Sequence, residues 1–313
     1  MRIAILGGAG AMGGIFGAYL SKAGHEVFLI DVLRPAIDMI NDSGLTVEEK
    51  DGSIGTYPVP ATDNPASVSP VDLIINFVKC YHTEAAIRSA APMIGADTTI
   101  LSLQNGWGNA GKIGAIVGMD RVLVGLTYHG GTLLGPGRVK HPGQGMTFLG
   151  EISGQRSYRL DRVNAALQSA GFETTLSERI LDEVWKKLAL NCCTLPTSGL
   201  LGFFADELVG YPTAKDSMAM ILAEVVAVAQ AKGIALDYDE RWAAITGLLE
   251  KAVGGKASML QDVEARRQTE IEVINGAIVA AGREVGVPTP VNALLVGLIT
   301  ALQSKYLTRK EAA

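Results

Sequence analysis

One stretch governs what this chain can fold into. Residues 1–31 read MRIAILGGAGAMGGIFGAYLSKAGHEVFLID. An apolar run at 3–6 breaks at Gly7, and Gly8, Gly10 and Gly13 then supply G-x-G-x-x-G, with Ala9, Ala11 and Met12 between them. A helical pattern through Phe16, Tyr19 and Leu20 stops at Gly24, and a second apolar run at 27–30 ends on Asp31. Strand, glycine turn, helix and strand in that order form the opening unit of a dinucleotide-binding fold.

Each glycine has a physical task in that unit. Gly8 is expected to make the tight turn, Gly10 to let the backbone approach a pyrophosphate, and Gly13 to let the helix pack on the sheet. The first helical N–H groups, at Ala11 and Met12, then face the phosphates. Asp31, a carboxylate at the end of the second strand, accepts hydrogen bonds from the adenosine ribose hydroxyls and repels a 2′-phosphate. NAD is therefore the expected cofactor. Arg34, three residues on, keeps NADP open.

With 313 residues the chain has room for two domains, each with its own core. A net charge of −5 and 19% charged residues describe an ordinary mildly acidic globular protein, with no basic patch for nucleic acid. Cys80, Cys192 and Cys193 form no disulfide framework. The four histidines (His25, His82, His129, His141) show no metal-ligand spacing, so no metal is expected. Neither a signal peptide nor a membrane-length apolar run is visible, and a cytoplasmic location is expected.

Further along, residues 35–41 read as a helix and 45–49 as a strand. The apolar run in VDLIINFVK (71–79) has the character of a buried parallel strand, as do 98–103 and 122–127. The glycine-punctuated stretch at 137–151 reads as a hairpin closing the sheet. From 178 onward the pattern is helical, with segments at 178–193, 212–232, 239–253, 258–283 and 290–305, and Gly233 and Gly286 as stops. The expected fold is α/β: an N-terminal Rossmann-type doubly wound sheet over 1–176 and a C-terminal all-helical domain over 177–313. The helical domain would hold the substrate and a dimerisation surface, and the cleft between the domains is the natural active site.

Lys187 and Asn191 are four apart and share one helix face. An ammonium beside an amide can bind a carbonyl oxygen and protonate it as hydride arrives, although such a pair is more often a solvated face. Ser258 has the position of a helix N-cap, and Glu270 that of an exposed acid pairing with Arg266.

Taken together, these segments resemble a family. The chain is similar to the ketopantoate reductases over essentially its whole length, in ordered blocks. These are GAGAMG at 8–13, Val78-Lys79, LQNG at 103–106, Tyr128-His129-Gly130-Gly131, W-x-K-L-x-x-N-C at 185–192, SMLQD at 258–262 and TEI at 269–271. The resemblance implies that Lys187 is the catalytic proton donor to the C2 oxygen of a 2-oxo acid. It places Asn105 between nicotinamide and substrate, and Asn191 and Ser258 on the substrate's oxygens. Lys79, Gly131 and Glu270 would then contact the cofactor or its surroundings, with Glu270 also orienting Lys187.

Two positions depart from the family pattern. Leu195 stands in NCCTLP where members carry an asparagine, which removes a polar contact to substrate. Asp31 stands where members that use NADPH carry a basic residue. The implied activity is reduction of ketopantoate to pantoate, the reductive step toward pantothenate. The alternative is an NAD-dependent D-2-hydroxy-acid dehydrogenase acting on a branched or aromatic substrate. A reading from another class, a non-catalytic dinucleotide sensor, needs the glycine turn but no proton donor. A homodimer is left open.

Overall fold

The computed structural model describes residues 1–311, which divide into two compact units, 1–104 with 109–180, and 105–108 with 181–311. The first unit holds the elements β1 (Arg2–Leu6), α1 (Ala11–Lys22), β2 (Glu26–Ile30), α2 (Arg34–Ser43), β3 (Leu45–Glu49), β4 (Ile54–Tyr57), β5 (Ala61–Thr62) and β6 (Val71–Asn76). It continues through α3 (Thr83–Ser89), β7 (Ile94–Ser102), α4 (Asn109–Val117), β8 (Val122–Thr127), β9 (Thr132–Gly135), β10 (Arg138–His141), β11 (Thr147–Gly150), α5 (Tyr158–Ser169) and β12 (Thr174–Leu176).

Eight strands form the main sheet in the order β12-β11-β8-β7-β6-β1-β2-β5. All neighbours are parallel except β8 and β11, which pair antiparallel from Thr127↔Thr147 to Val124↔Gly150. The chain runs outward from β1 to β2 on one side and from β6 to β7 and β8 on the other. The strand order therefore reverses beside β1 and β6, the point where open α/β sheets bind ligands.

Alternate residues of β1 serve both faces of the sheet. Ile3 and Ile5 join the core under α1 and α5, with Phe16 and Phe172, while Ala4 and Leu6 join the opposite core with Ile87 and Ile113. Burial on both faces explains the unbroken apolar runs at 3–6 in β1 and 73–75 in β6, which do not alternate with polar residues.

A second sheet, β4-β3-β10-β9, corrects the expected hairpin. β10 pairs parallel with β3, Arg138 opposite Thr46, whereas β11 lies in the main sheet against β8. The two strands are successive in sequence but satisfy different sheet edges. Helix α5 also falls outside the expected set; Ser157 caps it, its Oγ accepting from the Leu160 N–H at 3.2 Å.

The second unit is helical: α6 (Ile180–Leu201), α7 (Ala205–Gly210), α8 (Pro212–Ala231), α9 (Tyr238–Lys251), α10 (Ser258–Glu264), α11 (Asn275–Val285) and α12 (Pro290–Glu311). α7 is a further addition, and the expected helix over 258–283 is broken. Arg266 takes a left-handed φ of 51°, and a short 3-10 turn, Ile271–Val273, precedes α11.

Pro196 lies inside α6 and has no N–H for the carbonyl of Cys192, four residues earlier. Asn275 Nδ2 donates to that carbonyl at 3.1 Å and to Asn292 Oδ1 at 2.9 Å. Asn292 Nδ2 in turn donates to Glu224 Oε2 at 2.7 Å. One buried chain of amides thus ties α6, α11, α12 and α8 together. Among the described residues, no helix is long and apolar enough to cross a membrane, and no three His, Cys, Asp or Glu side chains are grouped to hold a metal ion.

Candidate active site

The glycine turn follows β1 at the switch point. The left-handed residue is Gly7, with φ of 77°, so the tight turn falls there and not at Gly8. Gly8 is needed for packing, since a Cβ would stand 2.6 Å from the Leu29 Cβ on β2. At Gly13 a Cβ would overlap the Gly7 carbonyl oxygen, so only glycine lets α1 start this close to the strand. Gly10 is the N-cap and offers no side chain, leaving the N–H groups at the start of α1 for another acceptor. An uncapped helix N-terminus over a glycine-lined turn fits a dinucleotide pyrophosphate.

The turn's neighbours are the other residues named for the cofactor. A Cβ at Gly7 would lie 3.0 Å from the Val78 nitrogen, which sets the Val78-Lys79 segment against the turn. A Cβ at Gly131 would stand 3.0 Å from Met12 Sδ and 3.1 Å from the Ala11 Cβ, so the 128–131 block packs on the first turn of α1. Asp31 Oδ2 accepts from the Ala9 N–H at 3.0 Å, and Oδ1 accepts from the N–H groups of Val32 at 2.8 Å and Leu33 at 3.2 Å.

Sequence reasoning gave no role to the amides behind Lys79. Gln104 Nε2 donates to the Val78 carbonyl at 2.7 Å and to Thr83 Oγ1 at 2.8 Å, while its Oε1 accepts from Asn76 Nδ2 at 2.8 Å. Gln104 therefore fixes the loop after β6. The LQNG block carries the signal, since its glutamine is a second amide directly before Asn105.

In the second unit, α6 carries Lys187 and, one turn on, Asn191 on the same face. Lys187 Nζ donates to Asn105 Oδ1 at 2.8 Å. Asn105 is positioned by Gly106 and Trp107. The Trp107 N–H donates to the Val273 carbonyl at 2.8 Å, and Gly106, at φ of 84°, has no room for a Cβ against that same carbonyl. Trp107 also packs on the buried Trp185 ring of α6, with centroids 5.4 Å apart. Segment 105–108 is thereby held between the 271–273 turn and the lysine helix.

Glu270 is 7% exposed, so the position that local sequence alone reads as an exposed acid is buried. Burial lowers the Lys187 ammonium to about 8, and the Glu270 charge opposes that fall. An amine with that value can give or take a proton near neutral pH. Lys186 faces elsewhere and pairs with Glu183 at 2.8 Å. Asn191 and Leu195 are buried, at 7% each. Ser258 is the first residue of α10 and not its N-cap, which is Ala257. α10 reaches α6 by packing Met259 against Gly199.

Fold and lysine chemistry put the chain in the class of NAD(P)-dependent oxidoreductases. Residues 3–154 match the family described as Ketopantoate reductase PanE/ApbA, and residues 179–303 match its C-terminal counterpart. The chain is 31% identical over 306 residues to a 2-dehydropantoate 2-reductase of Halobacterium salinarum, covering 97% of this chain and 99% of that one. It is 35% identical over 309 residues to the enzyme of the same name from Pyrococcus horikoshii, covering 97% and 98%. A structure of D-mandelate dehydrogenase with NADH and anilino(oxo)acetate superposes with a TM-score of 0.91 at 31% identity, covering 98% of this chain and 99% of that one. The chain belongs to the ketopantoate reductase family.

Proposed function

We propose that this protein reduces a 2-oxo acid to the 2-hydroxy acid with NADH, using Lys187 as proton donor. The observation that carries this reading is the Lys187 ammonium, brought to about 8 by burial and held on Asn105 Oδ1 at 2.8 Å. When bound, NADH supplies the hydride that reduces C2. Lys187 Nζ hydrogen-bonds the C2 oxygen and gives it a proton as negative charge builds there. Asn105 and the Glu270 charge keep the amine protonated and aimed. Asn191 and Ser258 hold the substrate's oxygens, with Ser258 at the carboxylate. In the other unit, the turn of Gly8, Ala9, Gly10, Ala11, Met12 and Gly13 takes the pyrophosphate and Asp31 the ribose, with Lys79 and Gly131 beside them.

Ketopantoate is the first substrate of this reading, supported by the full-length likeness to proteins named 2-dehydropantoate 2-reductase. A second reading, a D-2-hydroxy-acid dehydrogenase for branched or aromatic substrates, is favoured by Leu195. It stands buried one turn beyond Asn191 and offers an apolar group to substrate. The likeness to D-mandelate dehydrogenase supports the same reading. The test is nicotinamide absorbance with NADH across ketopantoate and a panel of branched and aromatic 2-oxo acids. Fast ketopantoate turnover favours the first reading. Weak ketopantoate turnover beside strong turnover of an apolar 2-oxo acid favours the second, and no turnover of any 2-oxo acid overturns both.

A further inference from the structure

The two residues that pull cofactor choice in opposite directions, Asp31 and Arg34, have a third partner that the sequence pattern does not reveal. β5 runs parallel to β2, with Leu29 opposite Ala61 and Ile30 opposite Thr62. The Asp31 N–H extends that ladder by donating to the Thr62 carbonyl at 3.1 Å. The next residue, Asp63, thus stands beside Asp31 at the strand edge, and its Oδ2 lies 2.6 Å from Arg34 Nη2.

The Arg34 guanidinium pairs with Asp63, while the Asp31 oxygens accept from the backbone of Ala9, Val32 and Leu33 and keep acceptor capacity for a ribose hydroxyl. Beside this cluster Val32 and Leu33 are 83% and 50% exposed, an apolar ledge suited to the purine ring of an adenosine.

We propose that Asp63 is a specificity-determining residue: it occupies Arg34 and, with Asp31, excludes the 2′-phosphate of NADPH. The inference rests on the NADH reading above. Two carboxylates and one guanidinium leave this edge net negative, which suits a ribose hydroxyl and repels a phosphate dianion. To bind the phosphate, Arg34 must leave Asp63, and the released carboxylate then stands beside the new charge. The ion pair is largely solvent-exposed on the arginine side (67%), so the fold depends on it little and Asp63→Asn should remain native.

The test titrates NADH and NADPH separately, by nicotinamide fluorescence, into the full-length wild type, Asp63→Asn, Arg34→Ala and the double variant. Thermal melts serve as a check on folding. In Asp63→Asn the Kd for NADPH should fall about tenfold relative to that for NADH, less so in high salt. Adding Arg34→Ala should erase that gain, while Arg34→Ala alone should change the ratio little. An unchanged ratio in Asp63→Asn overturns the inference, as does a gain that survives in the double variant or a wild type that prefers NADPH. Wild type that binds neither nucleotide overturns the NADH reading itself, an outcome distinct from NADH binding with an unmoved ratio.

Discussion

Lys187 Nζ and Asn105 Oδ1, 82 residues apart in sequence, are joined by a 2.8 Å hydrogen bond within the helical unit. The bond holds the amine in one place before substrate arrives, so its contribution is largely positional. On the proposed route Lys187→Ala removes the proton donor, so it should lower kcat by about 10²–10⁴-fold while NADH binding persists. Asn105→Ala keeps the amine but removes the bond to Oδ1, and kcat should fall by a smaller factor. Steady-state kinetics beside NADH fluorescence titration checks both. Unchanged turnover in Lys187→Ala would remove the lysine from the mechanism.

The same lysine sets a pH dependence with a definite sign. On the proposed route, reduction of the 2-oxo acid requires the protonated amine, whose value burial has brought down to about 8. The rate of reduction should hold below that value and decline above it, and the reverse oxidation should show the opposite limb. The Glu270 charge raises the lysine's pKa, so Glu270→Gln should move the basic limb of the kcat profile to lower pH. A limb that stays in place in Glu270→Gln would show that the carboxylate does not act on this proton.

How much of this site the sequence discloses depends on the range of the interactions. The β1–α1–β2 unit is local: its strand periodicity, glycine spacing and terminal acid lie within thirty-one residues. Even there the turn residue was Gly7, because φ is set by how the chain leaves the strand and not by the motif's first glycine. Lys187 and Asn191 could be grouped by helical spacing, but nothing local links either to Asn105. That link depends on Gly106 docking against Val273, a contact between distant segments. The separation of β10 and β11 into two sheets is likewise decided by pairing partners far away in the chain. Glu270 reads as exposed because its neighbours are polar, and tertiary packing buries it.

The amide chain from Cys192 through Asn275 and Asn292 to Glu224 gives a stability prediction independent of catalysis. Pro196 leaves the Cys192 carbonyl without its helical donor, and Asn275 supplies one at 3.1 Å. Asn275→Leu orphans both that carbonyl and Asn292 Oδ1 in a fully buried place. It should destabilise the helical unit by about 2–4 kcal/mol. Chemical denaturation at neutral pH measures the loss, and a change under about 0.5 kcal/mol would mean the amide chain is not a structural tie.

A last prediction concerns the first unit, where His129 Nδ1 and His141 Nε2 lie 3.0 Å apart. His141 Nδ1 lies 3.2 Å from Glu49 Oε2, and the Tyr19 hydroxyl bonds to Glu49 as well. An ionised Glu49 only accepts, so Tyr19 O–H and His141 Nδ1–H both donate to it. In the neutral pair His141 Nε2 then accepts from His129 Nδ1–H, and His129 Nε2 remains a buried acceptor without a hydrogen-bond partner. Burial, and secondarily the charge that His141 can carry, press His129 down to about 4. Its folded value thus lies below the ordinary 6.5, so the unfolded chain binds the proton more readily. The contribution to stability is complete above pH 6.5 and is lost as pH falls through that window toward about 4. Urea unfolding at a series of pH values should therefore give a steeper loss for wild type than for His129→Gln, which carries no titrating ring. The variant should be less stable at pH 7 because it also gives up the bond to His141. Equal slopes between pH 6.5 and about 4 would mean that His129 takes its proton as readily in the folded protein as in the unfolded chain.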